Sequence, residues 1–213
     1  MLTVSILGNG PSLKFFQKIN SPNNLIIATN NIFFLKHFYV INQSNNFYTA
    51  YDERFFKKGF ATWLSNLQKF RGKIFFQSSW KDRKELIKLK KIDYYLPKKN
   101  YNLVKSYSKM FADTDNLKSS VVITRAIPLA LSLGVKVINL YGCEFKYKLN
   151  SNSKLTSRSY FYKEKNYGFE HSKLSAQIWS KIQHQKLKRI KSFLSNHNIT
   201  LKDLTINGNL KFL

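Results

Sequence analysis

Leu2-Thr-Val-Ser-Ile-Leu7 runs straight into Gly8-Asn9-Gly10-Pro11-Ser12-Leu13, and the architecture turns on this junction. An apolar run rich in β-formers stops at two glycines and a proline. A helix-like pattern over 12–19, Ser-Leu-Lys-Phe-Phe-Gln-Lys-Ile, follows at once. The pattern predicts a strand, a tight loop and a helix. In an open α/β sheet, ligands bind at the carboxyl end of such a strand. Gly8 and Gly10 would let the backbone approach a ligand, and Ser12 would cap the helix. The free N–H groups of that helix would favour an anion such as a phosphate. The spacing is neither G-x-G-x-x-G nor G-x-x-x-x-G-K-[ST], so it points to neither a dinucleotide fingerprint nor a P-loop.

Similar units recur downstream. Leu25-Ile-Ile-Ala-Thr29 reads as a buried strand ending at Asn30-Asn31, and Phe47-Tyr-Thr-Ala-Tyr51 as another, ending at Asp52. Residues 61–70 read as a helix with Trp63, Leu64, Leu67 and Phe70 on its apolar side. A short strand at 73–76 follows, and then a basic amphipathic helix over 80–90. Residues 119–133 form an apolar helix that Pro128 kinks and Gly134 ends. Val135-Lys-Val-Ile-Asn-Leu-Tyr141 is a central strand stopping at Gly142. Residues 146–166 are polar, basic and without period, which predicts a lid. A long helix over 172–196, with Leu174, Ile178, Ile182, Leu187, Ile190 and Leu194 on its apolar side, turns at His197-Asn198 into a last strand at 199–203. Its other faces carry Lys181, Lys186, Lys188, Arg189 and Lys191. Alternating strands and helices predict an α/β fold of Rossmann-like form: one domain over 1–213, with a mainly parallel sheet and helices on both faces.

With 213 residues and 43% hydrophobic side chains, the chain can bury a full core. Its opening strand is unlike a secretion leader, and no apolar run approaches the ~20 residues needed to span a bilayer. The one cysteine, Cys143, cannot form an internal disulfide. It reads as a core thiol, which suits a reducing cytoplasm. The net charge of +25 calls for an acidic partner, and an anionic membrane surface is the simplest. The chain is therefore expected to be cytoplasmic, with a peripheral place at the inner face of a bacterial membrane.

Three segments together resemble the bacterial family-42 glycosyltransferases, the sialyltransferases of cell-surface lipooligosaccharide. They are Gly8-Asn9-Gly10-Pro11-Ser12-Leu13; Leu133-Gly134-Val-Lys-Val-Ile-Asn-Leu-Tyr-Gly142-Cys-Glu144-Phe145; and His171-Ser172-Lys173 before a helix and a final strand. They fall in the family's order across roughly residues 2–205. The resemblance implies transfer of sialic acid, or a related keto-sugar, from a CMP-linked donor to a glycan or glycolipid acceptor, with inversion and with neither metal nor cofactor. It implies that Asn9 and the backbone around Gly10 hold the donor's phosphate and ribose. By the same likeness Asn30 contacts the nucleotide, Glu144 stands near the cytidine, and His171 is the general base. Gly142 and Phe145 belong to the same motif. The pattern departs from the family in three places. Lys146 stands at a family tyrosine, with Tyr147 one step later. Tyr51, followed by Asp52, stands where the family has asparagine. Ser119-Ser120-Val121 replaces a Thr-Ser-Gly turn.

The chemistry is coherent on its own terms. CMP departs with its phosphate, so the site needs cations or hydroxyl donors rather than a strong acid. Lys146, Tyr147, Tyr160 and Tyr162, in the lid, would supply them. The acceptor hydroxyl needs a base that is neutral near pH 7, which suits His171. Two other readings stand beside this one. A pterin diphosphokinase-like pyrophosphoryl transferase would need a divalent metal. A nucleic-acid-binding protein would use the charge, although no RNP, KH, zinc-finger or helix-turn-helix signature is present. Self-association is left open.

Overall fold

The structure is a computed structural model that describes residues 1–16, 24–35, 38–51, 56, 60–87, 89, 92–110, 120–145 and 173–205. Among these residues seven strands form one sheet: β1 Thr3–Leu7, β2 Asn24–Thr29, β3 Phe47–Thr49, β4 Lys73–Phe75, β5 Ile92–Asp93, β6 Val137–Tyr141 and β7 Thr200–Asp203. Their order is β5-β4-β3-β2-β1-β6-β7, and every pairing is parallel. The α/β expectation holds. The chain steps outward from β1 through β5 on one side, then returns to place β6 and β7 on the other. The order reverses at β1, and in doubly wound sheets ligands sit beside the strand ends at that reversal.

The register explains why both faces are apolar. Ile6 pairs with Ile27, and Ile27 with Phe47, so these side chains line one face. There they meet Tyr107, Ile123, Leu129, Leu187 and Ile190. Leu7, Ala28, Tyr48 and Ile74 are paired in turn along the opposite face, against Leu13, Ile32, Trp63 and Leu67. Alternate strand residues point to opposite sides. Helices α3 Tyr101–Met110, α4 Ile127–Ser132 and α5 Lys173–Ser195 therefore cover the first face, and α2 Phe60–Lys69 covers the second. The short α1 spans Phe38–Ile41.

Several local expectations are corrected. The element after Gly10 is not an α-helix over 12–19 but a five-residue 3₁₀ helix, Pro11–Phe15; residues 17–23 lie outside the described ones. The basic helix expected over 80–90 is a series of tight turns. The N–H groups of Lys81, Arg83, Leu86 and Leu89 each donate to the carbonyl three residues earlier, at Ser78, Trp80, Arg83 and Leu86. Buried Trp80, Leu86 and Leu89 are spaced by multiples of three, which stacked turns satisfy as well as a helix does. Strand β5 and helix α3 arise in a stretch that carried no prediction. Pro128 does disturb its helix: Val122–Ala126 just before α4 is π-helical. A proline lacks the N–H for the regular bond and crowds the carbonyl four residues back, and the wider turn relieves both.

Along α5 the buried stripe runs through Gln183, Lys186, Leu187, Ile190 and Leu194. At 3.6 residues per turn this stripe passes Trp179 and Ser180, not Ile178, which is half exposed. Lys186, expected on the basic outer surface, is only 6% exposed. Among the described residues, no helix is long and apolar enough to cross a membrane. The segment 146–166 lies outside the described residues.

Candidate functional site

The ends of β1 and β6 lock together backbone to backbone. Gly8 N–H donates to the Tyr141 carbonyl at 2.8 Å, and Gly10 N–H to that of Gly142 at 2.7 Å. Gly142 turns there with φ +61°, a left-handed conformation that costs a glycine nothing. A Cβ on Gly8 would overlap the Gly142 carbonyl, and one on Gly10 would overlap the Glu144 carboxylate. The closest approach these glycines permit is thus to the β6 loop of the same chain.

The amide expected to greet an anion is already occupied. Ser12 N–H donates to Glu144 Oε1 at 2.6 Å, and Glu144 is buried. A carboxylate bonded to an N–H fits the polarity of a helix start, and it would repel a phosphate brought to the same place. Gly10, not Ser12, occupies the cap position, and no side chain caps the turn. The reason is register: the 3₁₀ helix begins at Pro11, one residue ahead of Ser12. The Ser12 hydroxyl is buried and has no hydrogen-bond partner among the described residues.

A second set of contacts ties β1 to β2. Asn9 Nδ2 donates to the Thr29 carbonyl at 3.2 Å, and Thr29 Oγ1 donates to the Leu7 carbonyl at 2.8 Å. Asn30 has φ +47°. Its N–H reaches the Thr49 carbonyl at 3.1 Å, and its carbonyl accepts from the Tyr48 hydroxyl at 2.7 Å. Trp63 Nε1 donates to that hydroxyl at 2.8 Å. Burial pushes the Tyr48 phenol far above its ordinary pKa, so it stays a neutral donor.

What these clamps leave over is informative. Asn9 Oδ1, Ser12 Oγ, Asn30 Oδ1 and Glu144 Oε2 are all buried without a hydrogen-bond partner among the described residues. Buried polar groups are nearly always paired, so each orphan asks for an explanation. Three of the four are pure acceptors. Their complement is a ligand that presents N–H and O–H groups, such as a nucleobase amino group and ribose hydroxyls, rather than a phosphate.

Phe145 follows with φ +48°, and its carbonyl accepts a short hydrogen bond from the Ser180 hydroxyl of α5. Cys143 is buried; burial, with the Glu144 and Asp203 charges, holds its thiol well above the usual pKa. Ser120 N–H donates to Gln183 Oε1 at 3.0 Å, and its carbonyl accepts from the Thr124 hydroxyl at 2.9 Å, which fastens the start of the π-helical turn. Gly8, Asn9, Gly10, Ser12, Asn30, Gly142, Glu144 and Phe145 therefore stand together at the carboxyl ends of β1, β2 and β6. Tyr51 stands past β3 on the same edge. Asp52, Ser119, Lys146, Tyr147, Tyr160, Tyr162 and His171 lie outside the described residues.

One side chain at this edge went unread in the sequence. Arg125 comes from the π-helical turn, and its Nη2 donates to Gln77 Oε1, beyond β4, at 3.0 Å. Its guanidinium carbon lies 5.1 Å from the centre of the Tyr51 ring. A single charge in the otherwise apolar run Val121-Val-Ile-Thr-Arg-Ala-Ile-Pro-Leu-Ala-Leu131 was the available signal.

No family model matches the chain, and no curated protein matches its sequence. Solved structures do. The sialyltransferase CstII from Campylobacter jejuni in complex with cytidine-5'-monophosphate is 20% identical, with a TM-score of 0.57 over 99% of this chain and 82% of that one. CstII from the same organism with the substrate analogue CMP-3FNeuAc is 19% identical, also at 0.57, over 99% and 84%. The sialyltransferase CST-II with trisaccharide acceptor and CMP is 19% identical, at 0.54, over 98% and 83%. At these identities the likeness establishes the fold: from β1 to β7 the chain is built as these sialyltransferases are.

Proposed function

We propose that this chain is a single-domain, metal-independent glycosyltransferase. It moves sialic acid or a related keto-sugar from a CMP-linked donor to a glycan or glycolipid acceptor. The observation that carries the reading is the set of orphaned acceptors, Asn9 Oδ1, Asn30 Oδ1 and Glu144 Oε2, at the edge where such sheets bind ligands. Cytosine offers an exocyclic amino group and ribose offers hydroxyls, and both answer those acceptors. The solved structures of like fold hold CMP or a CMP-linked analogue, which supports the choice of nucleotide.

In this reading His171 takes the proton of the acceptor hydroxyl as its oxygen attacks the anomeric carbon. The bond to the phosphate oxygen breaks on the opposite face, and CMP leaves with the electron pair. Lys146 and the hydroxyls of Tyr147, Tyr160 and Tyr162 meet the charge gathering on the phosphate, the role that donors pre-aimed at a leaving group perform. Asp52, Ser119 and Ser120 complete the donor's surroundings.

Thermal shift with CMP, CTP, UMP, GMP and ATP tests it, because a ligand that binds only the native state raises its melting point. The expected result is a rise for the cytidine nucleotides alone. A rise confined to purine nucleotides, or none with any of the five, overturns the proposal.

A further inference from the structure

We infer that Arg125, held by Gln77 and Tyr51, is a reader of substrate charge: it receives the carboxylate of an acidic sugar at the end of the site away from the nucleoside. This deepens the proposed function and rests on it. Four observations carry it. The guanidinium is anchored at 3.0 Å to Gln77 Oε1, a neutral partner that fixes its direction and leaves its charge uncancelled. It also faces the Tyr51 ring, and among the described residues no carboxylate pairs with it. Arg125 Nε is buried with no hydrogen-bond partner among the described residues. Burial pulls the guanidinium below its usual pKa, with the Tyr51 phenol pulling the other way.

A desolvated cation without a counter-ion is costly, and such groups persist where a ligand supplies the charge. Arginine is suited to a carboxylate, because its planar fork offers two parallel N–H donors to two oxygens. Placement agrees with chemistry. Tyr51 follows β3 and Gln77 follows β4, whereas the orphaned acceptors follow β1, β2 and β6. Neighbouring strands are ~4.8 Å apart, so the two groups are separated by about two strand spacings, roughly 10 Å. A ligand whose nucleoside meets Asn9, Asn30 and Glu144 would extend along the edge toward Arg125 with its sugar, or with the acceptor that the sugar joins. The π-helical turn that carries Arg125 is of a kind found often at functional sites.

The experiment compares the wild type with Arg125→Met and Arg125→Lys. The affinities measured are those for CMP, for CMP-sialic acid and for its carboxamide analogue; KM is measured for a sialylated and an uncharged acceptor sugar. CMP carries no carboxylate, so all three proteins should bind it alike, and this also shows that the variants fold. If the carboxylate is the donor's, Arg125→Met should bind CMP-sialic acid about 10- to 100-fold more weakly, the worth of a charged hydrogen bond. The carboxamide should bind Arg125→Met and the wild type equally, and Arg125→Lys should recover part of the loss. If the carboxylate is the acceptor's, the same factor should appear in KM for the sialylated acceptor alone. Unchanged discrimination between acid and carboxamide, and between the two acceptors, overturns the inference. So does a loss of CMP binding equal to the loss of CMP-sialic acid binding, which makes Arg125 a structural tether. A wild type that does not bind CMP removes the proposed function itself, and the subsite with it.

Discussion

Glu144 reaches back 132 residues along the chain to accept a hydrogen bond from the backbone of Ser12 at 2.6 Å. This bond pins the loop after β1 to the loop after β6. It places the second carboxylate oxygen beside Gly10, buried and unpartnered. One oxygen thus serves the fold, and the other is the one that the proposed function assigns to the nucleoside. Glu144→Ala should lower stability by about 1.5–3 kcal/mol, the scale of a hydrogen bond to a charged group. Glu144→Gln keeps an acceptor for Ser12 and should cost less. Both should weaken CMP binding, since Gln can present an NH₂ where an acceptor is wanted. Urea melts and CMP titrations check the pair, and a Glu144→Gln protein that binds CMP as tightly as the wild type removes Glu144 from the nucleoside.

The glycines at the same contact give a coupled prediction. Gly10→Ala drives a methyl into the Glu144 carboxylate and should be strongly destabilising. Combining it with Glu144→Ala removes the nearer of two obstacles, the Gly142 carbonyl still lying 2.7 Å from the new Cβ, so the double variant should be less unstable than the sum of the singles by about 1 kcal/mol, as touching residues couple. Gly142→Ala meets a separate difficulty at φ +61°, where a Cβ costs roughly 1–2 kcal/mol. Chemical denaturation of the four proteins measures the coupling, and strict additivity would show that the two loops move apart at little cost.

How far these features were legible depends on the range of the interaction. Strand β1, the Gly134 stop and β6 are written in neighbouring residues; β1 and the stop stand where the pattern places them, and β6 starts two residues later, at Val137. The turns at 81–87 were not legible as turns, because spacing by three is common to them and to a helix. Arg125 carries little local signal, because what gives it meaning, Gln77 and Tyr51, lies 48 and 74 residues away. Ser12 reads as a cap in the sequence because nothing local reveals that the turn starts at Pro11, or that Glu144 fills the amide.

Alkaline pH should loosen the core in a defined direction. Burial raises the pKa of Cys143, Tyr48 and Tyr107. A group whose folded pKa lies above its unfolded value adds stability below the unfolded value and loses it as pH rises. For a thiol and two phenols, the unfolded values are about 8.5 and 10. Stability should therefore be flat to about pH 8 and fall from about pH 8.5 upward. Tyr48→Phe, although it loses the bonds to Asn30 and Trp63 at all pH values, should show a shallower decline. Denaturation midpoints between pH 7 and 11 read this, and a wild-type profile flat to pH 11 contradicts it.

The charge of +25 should be felt at anionic surfaces. On α5, Lys181, Lys188, Arg189 and Lys191 lie on or near the exposed side, whereas Lys186 is buried and belongs in no such test. Replacing these four by Gln should weaken binding to anionic vesicles and flatten its dependence on salt, because screening acts over about 10 Å at 0.1 M. Vesicle co-sedimentation across a salt series measures it. Equal binding by the variant would leave that helix face as ordinary solvated surface.

The sharpest test of mechanism is His171→Ala. A base acts on the acceptor hydroxyl and not on the donor, so CMP binding should be unchanged. Transfer should fall by ~10²–10⁴-fold, the usual contribution of a positioned base. The pH–rate profile should also lose the rising limb that reports deprotonation of an imidazole, because no group in the variant would need to shed a proton before accepting the acceptor's. EDTA should leave the wild type active, because in the proposed mechanism charge on the departing phosphate would be met by Lys146 and tyrosine hydroxyls rather than by a divalent ion. A variant with full transfer activity, or a wild type silenced by EDTA and restored by Mg²⁺, defeats the mechanism. The second result would favour pyrophosphoryl transfer, in which the metal bridges the phosphates of a nucleoside triphosphate, over transfer of a sugar from CMP.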